Sequence, residues 1–102
     1  MDEIANTPQT PYYAVIFTSS ASQDRQGYAQ MAEKMLKLAS QQTGFLGFES
    51  ADDKLSISVS YWDSLDAIAQ WKSHAEHLQA QQLGKSKWYK AFKTRVCRVE
   101  RD

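Results

Sequence analysis

The 102-residue sequence is short of several things at once. It has one cysteine, two prolines, four glycines and no net charge, with twelve basic residues cancelling twelve acidic ones. A lone cysteine closes no internal disulfide and builds no thiolate metal site by itself. Cys97 sits in the apolar alternation "VCRV" and is expected to be a small buried hydrophobe. Without a positive field, nucleic-acid binding has no electrostatic support, and no nucleic-acid partner is expected. The basic residues from Lys85 to Arg101 are interleaved with apolar ones, as on a solvated strand face. No stretch approaches the roughly 20 apolar residues of a membrane span, so no membrane partner is expected either. A glycine-rich phosphate loop and a G-x-S-x-G elbow are missing too, which leaves nucleotide cofactors and a serine nucleophile unsupported. The start, "MDEIANTPQTP", has neither a basic leader nor an apolar run, so a cytoplasmic location is expected.

What is present is a dense set of aromatic and β-branched residues, enough for one small domain. Pro8 and Pro11 mark residues 1–11 as a flexible N-terminal arm, leaving residues 12–102 as the domain. "YYAVIFTSS", from Tyr12, reads as a strand, with Tyr13, Val15 and Phe17 on one face and Tyr12, Ala14 and Ile16 on the other. Next comes an amphipathic helix with its apolar stripe at Tyr28, Met31, Met35, Leu38 and Ala39. Ser22 or Asp24 is its expected N-cap and Gly44 its stop. "FLGFES" and "KLSISVSYW" are two strands joined by the turn residues "ADDK". In the second, Leu55, Ile57, Val59 and Tyr61 alternate with Ser56, Ser58, Ser60 and Trp62.

Asp63 or Ser64 is expected to cap a second helix with Leu65, Ile68 and Trp71 as its buried stripe. A bend is expected near Ser73–His74. Gly84, costing about 1 kcal/mol relative to Ala in a helix, marks a bend or stop further on. "YKAFKTRVCRVER" reads as a long last strand.

The order β-α-β-β-α-β is the ferredoxin-like, split βαβ arrangement, an α+β fold with a four-stranded antiparallel sheet and two helices on one face. Two helices cover one face only, yet the first strand is apolar on both. The economical cover for the second face is another copy of the chain, giving a two-fold homodimer with a barrel-like pair of sheets.

The segments "YYAVIF", "GFLGFES", "SVSYWDSLDAIAQWKSHAEHLQAQ" and "GKSKWYKAFKTRVCRVER" together resemble the antibiotic biosynthesis monooxygenase superfamily of dimeric α+β barrels. The likeness spans roughly residues 12–101, and W-x-S-x-x-A-I-x-x-W from Trp62 to Trp71 is its most specific part. It implies a cofactor-independent monooxygenase acting on a small aromatic or polyketide-like, quinone-forming substrate. The substrate anion itself would reduce dioxygen, so no flavin or metal is implied. The alternative is a non-catalytic small-molecule binding or sensing module on the same barrel. Haem degradation in the superfamily uses an Asn on the first strand, a Trp on the second helix and a His ten residues later. Trp71 matches, but Gln81 stands where the His should be and "YYAVIFTSS" has no Asn.

The resemblance makes Trp71 and His77 the expected catalytic residues, with Trp62, Tyr61, Tyr89, Gln81 and Phe17 binding the substrate. Histidine is the side chain suited to proton transfer near neutrality. Each assignment has a structural competitor. His77 also fits a helix-face residue bonded to solvent or backbone. The three tryptophans also fit core packing, with Trp88 and Tyr89 alternatively serving a dimer interface. Ser56, Ser58 and Ser60 face either a cavity or solvent. His74 and His77 share a helix face, but Glu76 points elsewhere, so no metal site is expected.

Overall fold

Strand β1 (Tyr12–Ala21) is followed by helix α1 (Tyr28–Ser40), strands β2 (Phe45–Ala51) and β3 (Leu55–Trp62), helix α2 (Leu65–Gln82) and strand β4 (Tyr89–Val99). The computed structural model describes residues 3–23, 27–82 and 88–102, with residues 79–82 described by their backbone alone. The strands form one antiparallel sheet in the order β2-β3-β1-β4. This is the ferredoxin-like arrangement that the βαββαβ order demands, with β1 and β3 central.

Residues directly opposite in an antiparallel pair share a face. Tyr13, Val15, Phe17 and Ser19 of β1 stand opposite Trp62, Ser60, Ser58 and Ser56 of β3. On the other side they stand opposite Arg98, Val96, Thr94 and Phe92 of β4. This is the face under the helices. Trp62 is fully buried there against Ala39 of α1 and Ala67 and Ile68 of α2, with Tyr13, Val15, Phe45 and Trp71 packed around them. A second cluster joins Met31, Leu78 and Trp88, flanked by Tyr28, Met35, Leu38 and Tyr89. The expected α1 stripe is therefore the one that packs. Trp88 is core as well, at 2% exposure.

The helices depart from expectation at both ends of α1, at Leu65 and at the bend expected in α2. α1 begins after Gly27, whose φ of 81° needs no side-chain cap. Ser22 instead donates its N–H to Trp88 O at 2.9 Å, extending the β1–β4 ladder, and Asp24 lies outside the described residues. Gly44 does not end α1, which stops at Ser40. With φ of 92°, it opens the turn into β2 and accepts the Asp63 N–H at 2.8 Å. A Cβ on Gly44 would stand 2.6 Å from the Ala67 Cβ, so the first turn of α2 is seated against bare backbone.

That seating uses Ala67, and Leu65 at the helix start is left 54% exposed rather than buried. Ser64 is the cap, its Oγ accepting the Ala67 N–H at 3.1 Å. α2 runs through Ser73 and His74 as one helix, because no Gly or Pro interrupts residues 65–82. Gly84 lies outside the described residues.

The opposite face carries no helix. Its centre is Ala14, Ile16, Val59 and Ile57. Cys97 points to this face and is exposed rather than buried, its thiol 3.7 Å from Ala14 O, because β4 is an edge strand. At one end the face is polar. Tyr12 donates to Asp102 Oδ2 at 2.5 Å and accepts from Thr7 Oγ1 at 2.8 Å. Tyr61 donates to Glu49 Oε1, and the Ala5 N–H donates to Glu49 Oε2 at 3.0 Å, tying the N-terminal arm to β2.

Candidate functional site

β4 lies at the sheet edge beside β1, and past Tyr89 its residues 90–98 are exposed. On the helix side its Phe92 and Val96 remain 44% and 52% exposed. Val15 and Phe17 of β1 lie beside them on the same face. At one end Phe17 meets Tyr89 at 5.4 Å and Phe92 at 5.7 Å between ring centroids, and Tyr28 stands edge-on to both Tyr89 and Trp88. At the other end Trp71 stacks on Trp62, centroids 6.1 Å apart and planes 23° apart.

Half-buried Ser58 and Ser60 lie between, beside Phe17 and Val15. Ser60 Oγ accepts the Trp62 indole N–H at 2.9 Å. A hydroxyl has two acceptor lone pairs and one donor, so this bond fixes the indole and leaves the Ser60 O–H to donate.

Of the residues singled out by sequence, the structure pairs Trp62 with Trp71 and Phe17 with Tyr89, two separate contacts on the helix side of the sheet. It sends others elsewhere. Tyr61 follows Ser60 on β3 and therefore points to the opposite face, where it bonds to Glu49 and meets Tyr12 edge-on at 5.8 Å. Burial pushes the Tyr61 phenol well above its ordinary range, and the Glu49 carboxylate that accepts its hydrogen bond adds to the shift. The same bond holds the Glu49 carboxyl below its usual range, with help from the Ala5 N–H. His77 is exposed on α2, where the sheet-facing positions are Ala67, Ile68, Trp71 and Leu78. The side chain of Gln81 lies outside the described residues.

Sequence reading missed Phe92 and Val96. Their signal was the period of two along β4, which becomes legible once β1 fixes the register. A shallow depression of about 220 Å³ lies at the edge of the sheet, lined from both faces: Ser19 and Phe92 from the helix side, and Thr18, Leu55, Lys93 and Arg95 among others from the opposite side. None of the residues selected from sequence lines it.

A family model described as antibiotic biosynthesis monooxygenase matches residues 11–83. The chain belongs to this family. It is 50% identical over 103 residues to the uncharacterized protein YqjZ of Bacillus subtilis, covering 99% of this chain and 90% of that one. The fold recurs in SnoaB of Streptomyces nogalater, described as a cofactor-independent oxygenase. The TM-score is 0.73 at 7% identity, with 91% of this chain and 97% of that one covered. Protein PA3566 of Pseudomonas aeruginosa has a TM-score of 0.70 at 13% identity, covering 92% and 97%. At such identities these structures share the architecture alone. No helix among the described residues is long and apolar enough to cross a membrane.

Proposed function

We propose that the chain is a cofactor-independent monooxygenase that oxidises a small planar aromatic compound to a quinone. The feature that carries this reading is the apolar strip of the helix-side face where Val15 and Phe17 of β1 lie beside exposed Phe92 and Val96 of β4, which we read as an open trough with partly open Trp71 at one end and Ser58 and Ser60 alongside. The family match supports it, as does the fold shared with an oxygenase that uses no cofactor.

In this reading an anthrone-type substrate lies flat on the trough floor. Loss of a proton gives an enolate, and the serine hydroxyls stabilise its oxyanion. The enolate passes one electron to dioxygen, and the two radicals combine to a hydroperoxide. Loss of water then leaves the carbonyl, so a CH₂ and O₂ become C=O and H₂O. The protein's part is to hold the ring, stabilise the anion and keep water from the radical pair. His77 is the proposed proton acceptor, working from the rim because its ring is exposed. Tyr89 belongs to the trough wall.

Oxygen uptake with a panel of anthrones and hydroquinones tests the activity. Uptake should fall at least about tenfold in Trp71→Ala. An unchanged rate in His77→Ala removes the role of His77 without removing the trough.

The exposure of His77 favours a second reading, a non-catalytic binding module in the same trough. A small aromatic molecule retained in native mass spectrometry, with no oxygen uptake by the same sample, would select it.

A homodimer is part of the proposal. Leu55 and Ile57, 56% and 40% exposed, sit with Val59, Ile16 and Ala14 on the helix-free face. A second copy would remove them from water. Light scattering at micromolar concentration should give twice the 11.6 kDa chain mass.

A further inference from the structure

Two phenols of neighbouring strands meet at the polar end of the helix-free face. Tyr12 of β1 and Tyr61 of β3 stand edge-on, their ring centroids 5.8 Å apart. Each holds a carboxylate. Tyr61 donates to Glu49 of β2, and Tyr12 donates to Asp102, which follows β4, at 2.5 Å. Each pair in turn holds the N-terminal arm. The Ala5 N–H donates to the other oxygen of Glu49 at 3.0 Å, and the Thr7 hydroxyl donates to the Tyr12 oxygen at 2.8 Å. Beside Ala5 lies Gly47, in register with Tyr61. A Cβ on Gly47 would stand 3.0 Å from the Ala5 Cβ, so the arm rests against bare backbone of β2.

These contacts carry most of the hold on the arm. Among the described residues, no backbone–backbone hydrogen bond joins residues 3–7 to a strand. They form neither helix nor strand, and Ile4 is 80% exposed, so burial of that side chain does not fasten them. A segment held by so few groups opens locally, without unfolding of the sheet beneath it.

The two phenol–carboxylate pairs are also joined to each other. The rings of Tyr12 and Tyr61 pack together, and a ring that turns away with its carboxylate takes a wall from its neighbour. Charge links them as well. Asp102 does most to raise the Tyr12 phenol, and the Glu49 carboxylate adds to the shift from the other pair. Groups in contact within one network respond together when one of them is removed.

We propose that Glu49–Tyr61 and Tyr12–Asp102 form one coupled latch, which fastens residues 3–7 and the segment around Asp102 to the sheet and releases both together. Closed, the latch keeps Tyr12 at 4% exposure. Open, it gives access to the Tyr12 oxygen and to the Gly47 backbone of the edge strand β2. It depends on neither the trough nor a second copy of the chain.

Steady-state ¹H–¹⁵N nuclear Overhauser values of the whole chain test the latch residue by residue, since they separate rigid backbone from a free tail. In the wild type, residues 5–7 should approach the values of the strands. Glu49→Ala removes the acceptor of the Ala5 N–H and should drop residues 5–7 to free-tail values. It should also lower the values of residues 100–102, although Asp102 is bonded to Tyr12 and not to Glu49. Asp102→Ala should act in the reverse direction, loosening residues 5–7. This second variant changes a residue beyond the last strand and leaves every strand pairing in place, so it reads the coupling even if Glu49→Ala fails to fold. Variants that each loosen only their own segment would overturn the coupling. A wild type in which residues 5–7 already move like a free tail would overturn the latch itself.

Discussion

Trp71 lies stacked on Trp62, and only the second of the two is wholly shut away from water. The difference separates what each indole does. Trp62 is the packing centre that joins both helices to the sheet, whereas Trp71 presents a partly open ring. Trp62→Ala should therefore cost about 3–5 kcal/mol, a large share of the stability of a domain this size. Trp71→Ala should cost clearly less. Urea unfolding followed by circular dichroism gives both values. Equal costs would mean that Trp71 is as much a core residue as Trp62.

Ser60→Ala removes the acceptor of the Trp62 indole N–H and leaves that donor buried without its partner. The expected loss is about 1–3 kcal/mol. Ser58→Ala, with no such indole bond, is expected to change stability by less than half as much. Thermal unfolding of the two variants side by side checks the difference.

Gly44 and Gly27 both have positive φ, but their surroundings differ. A Cβ at Gly27 meets nothing within 4 Å, so Gly27→Ala should cost only the left-handed backbone term, about 1–2 kcal/mol. At Gly44 the Cβ would stand 2.6 Å from Ala67 Cβ and from Asp63 Oδ1. Gly44→Ala should cost about 2–5 kcal/mol, the backbone term plus overpacking. Chemical denaturation reads the order of the two, and a reversed order would displace Gly44 from its role in seating α2.

Stability should fall at both ends of the pH scale through the paired phenols and carboxylates. The Glu49 carboxyl is held low by the Tyr61 hydroxyl and the Ala5 N–H. Its contribution is present above the unfolded carboxylate value of about 4.3 and is lost as pH falls through the depressed folded value. Tyr61 is raised by burial and by Glu49, and Tyr12 chiefly by its bond to Asp102. Their contribution is full below the unfolded phenol value of about 10 and is lost as pH rises through the elevated folded values. Glu49→Gln should flatten the acid limb, and Tyr61→Phe should flatten part of the alkaline limb. Urea midpoints measured across pH test both.

The element order was legible because periods of 2 and 3.6 alternate cleanly along the chain, and the Met stripe of α1 packs where its spacing puts it. The facing of β3 was not. Its aliphatic residues and its serines alternate, and β1 is apolar on both sides, so neither strand says which face receives the helices. The bulk of Trp62 decides it, carrying Ser58 and Ser60 under the helices and leaving Leu55 and Ile57 open. For the same reason the neighbours Tyr61 and Trp62, joined in one expected site by sequence, stand on opposite sides of the sheet. The exposure of β4 at the sheet edge was hidden as well, because strand order depends on contacts between distant segments. Phe92 and Val96 owe their exposure to that order.

One phenol oxygen, that of Tyr12, is shared by Thr7 and Asp102. The segments around Thr7 and Asp102, far apart in sequence, therefore meet at a single point on the rim of the helix-free face. A linker of a few residues is enough to join them, and the exposed turn Asp52–Lys54 offers a place to reopen the chain as a circular permutant.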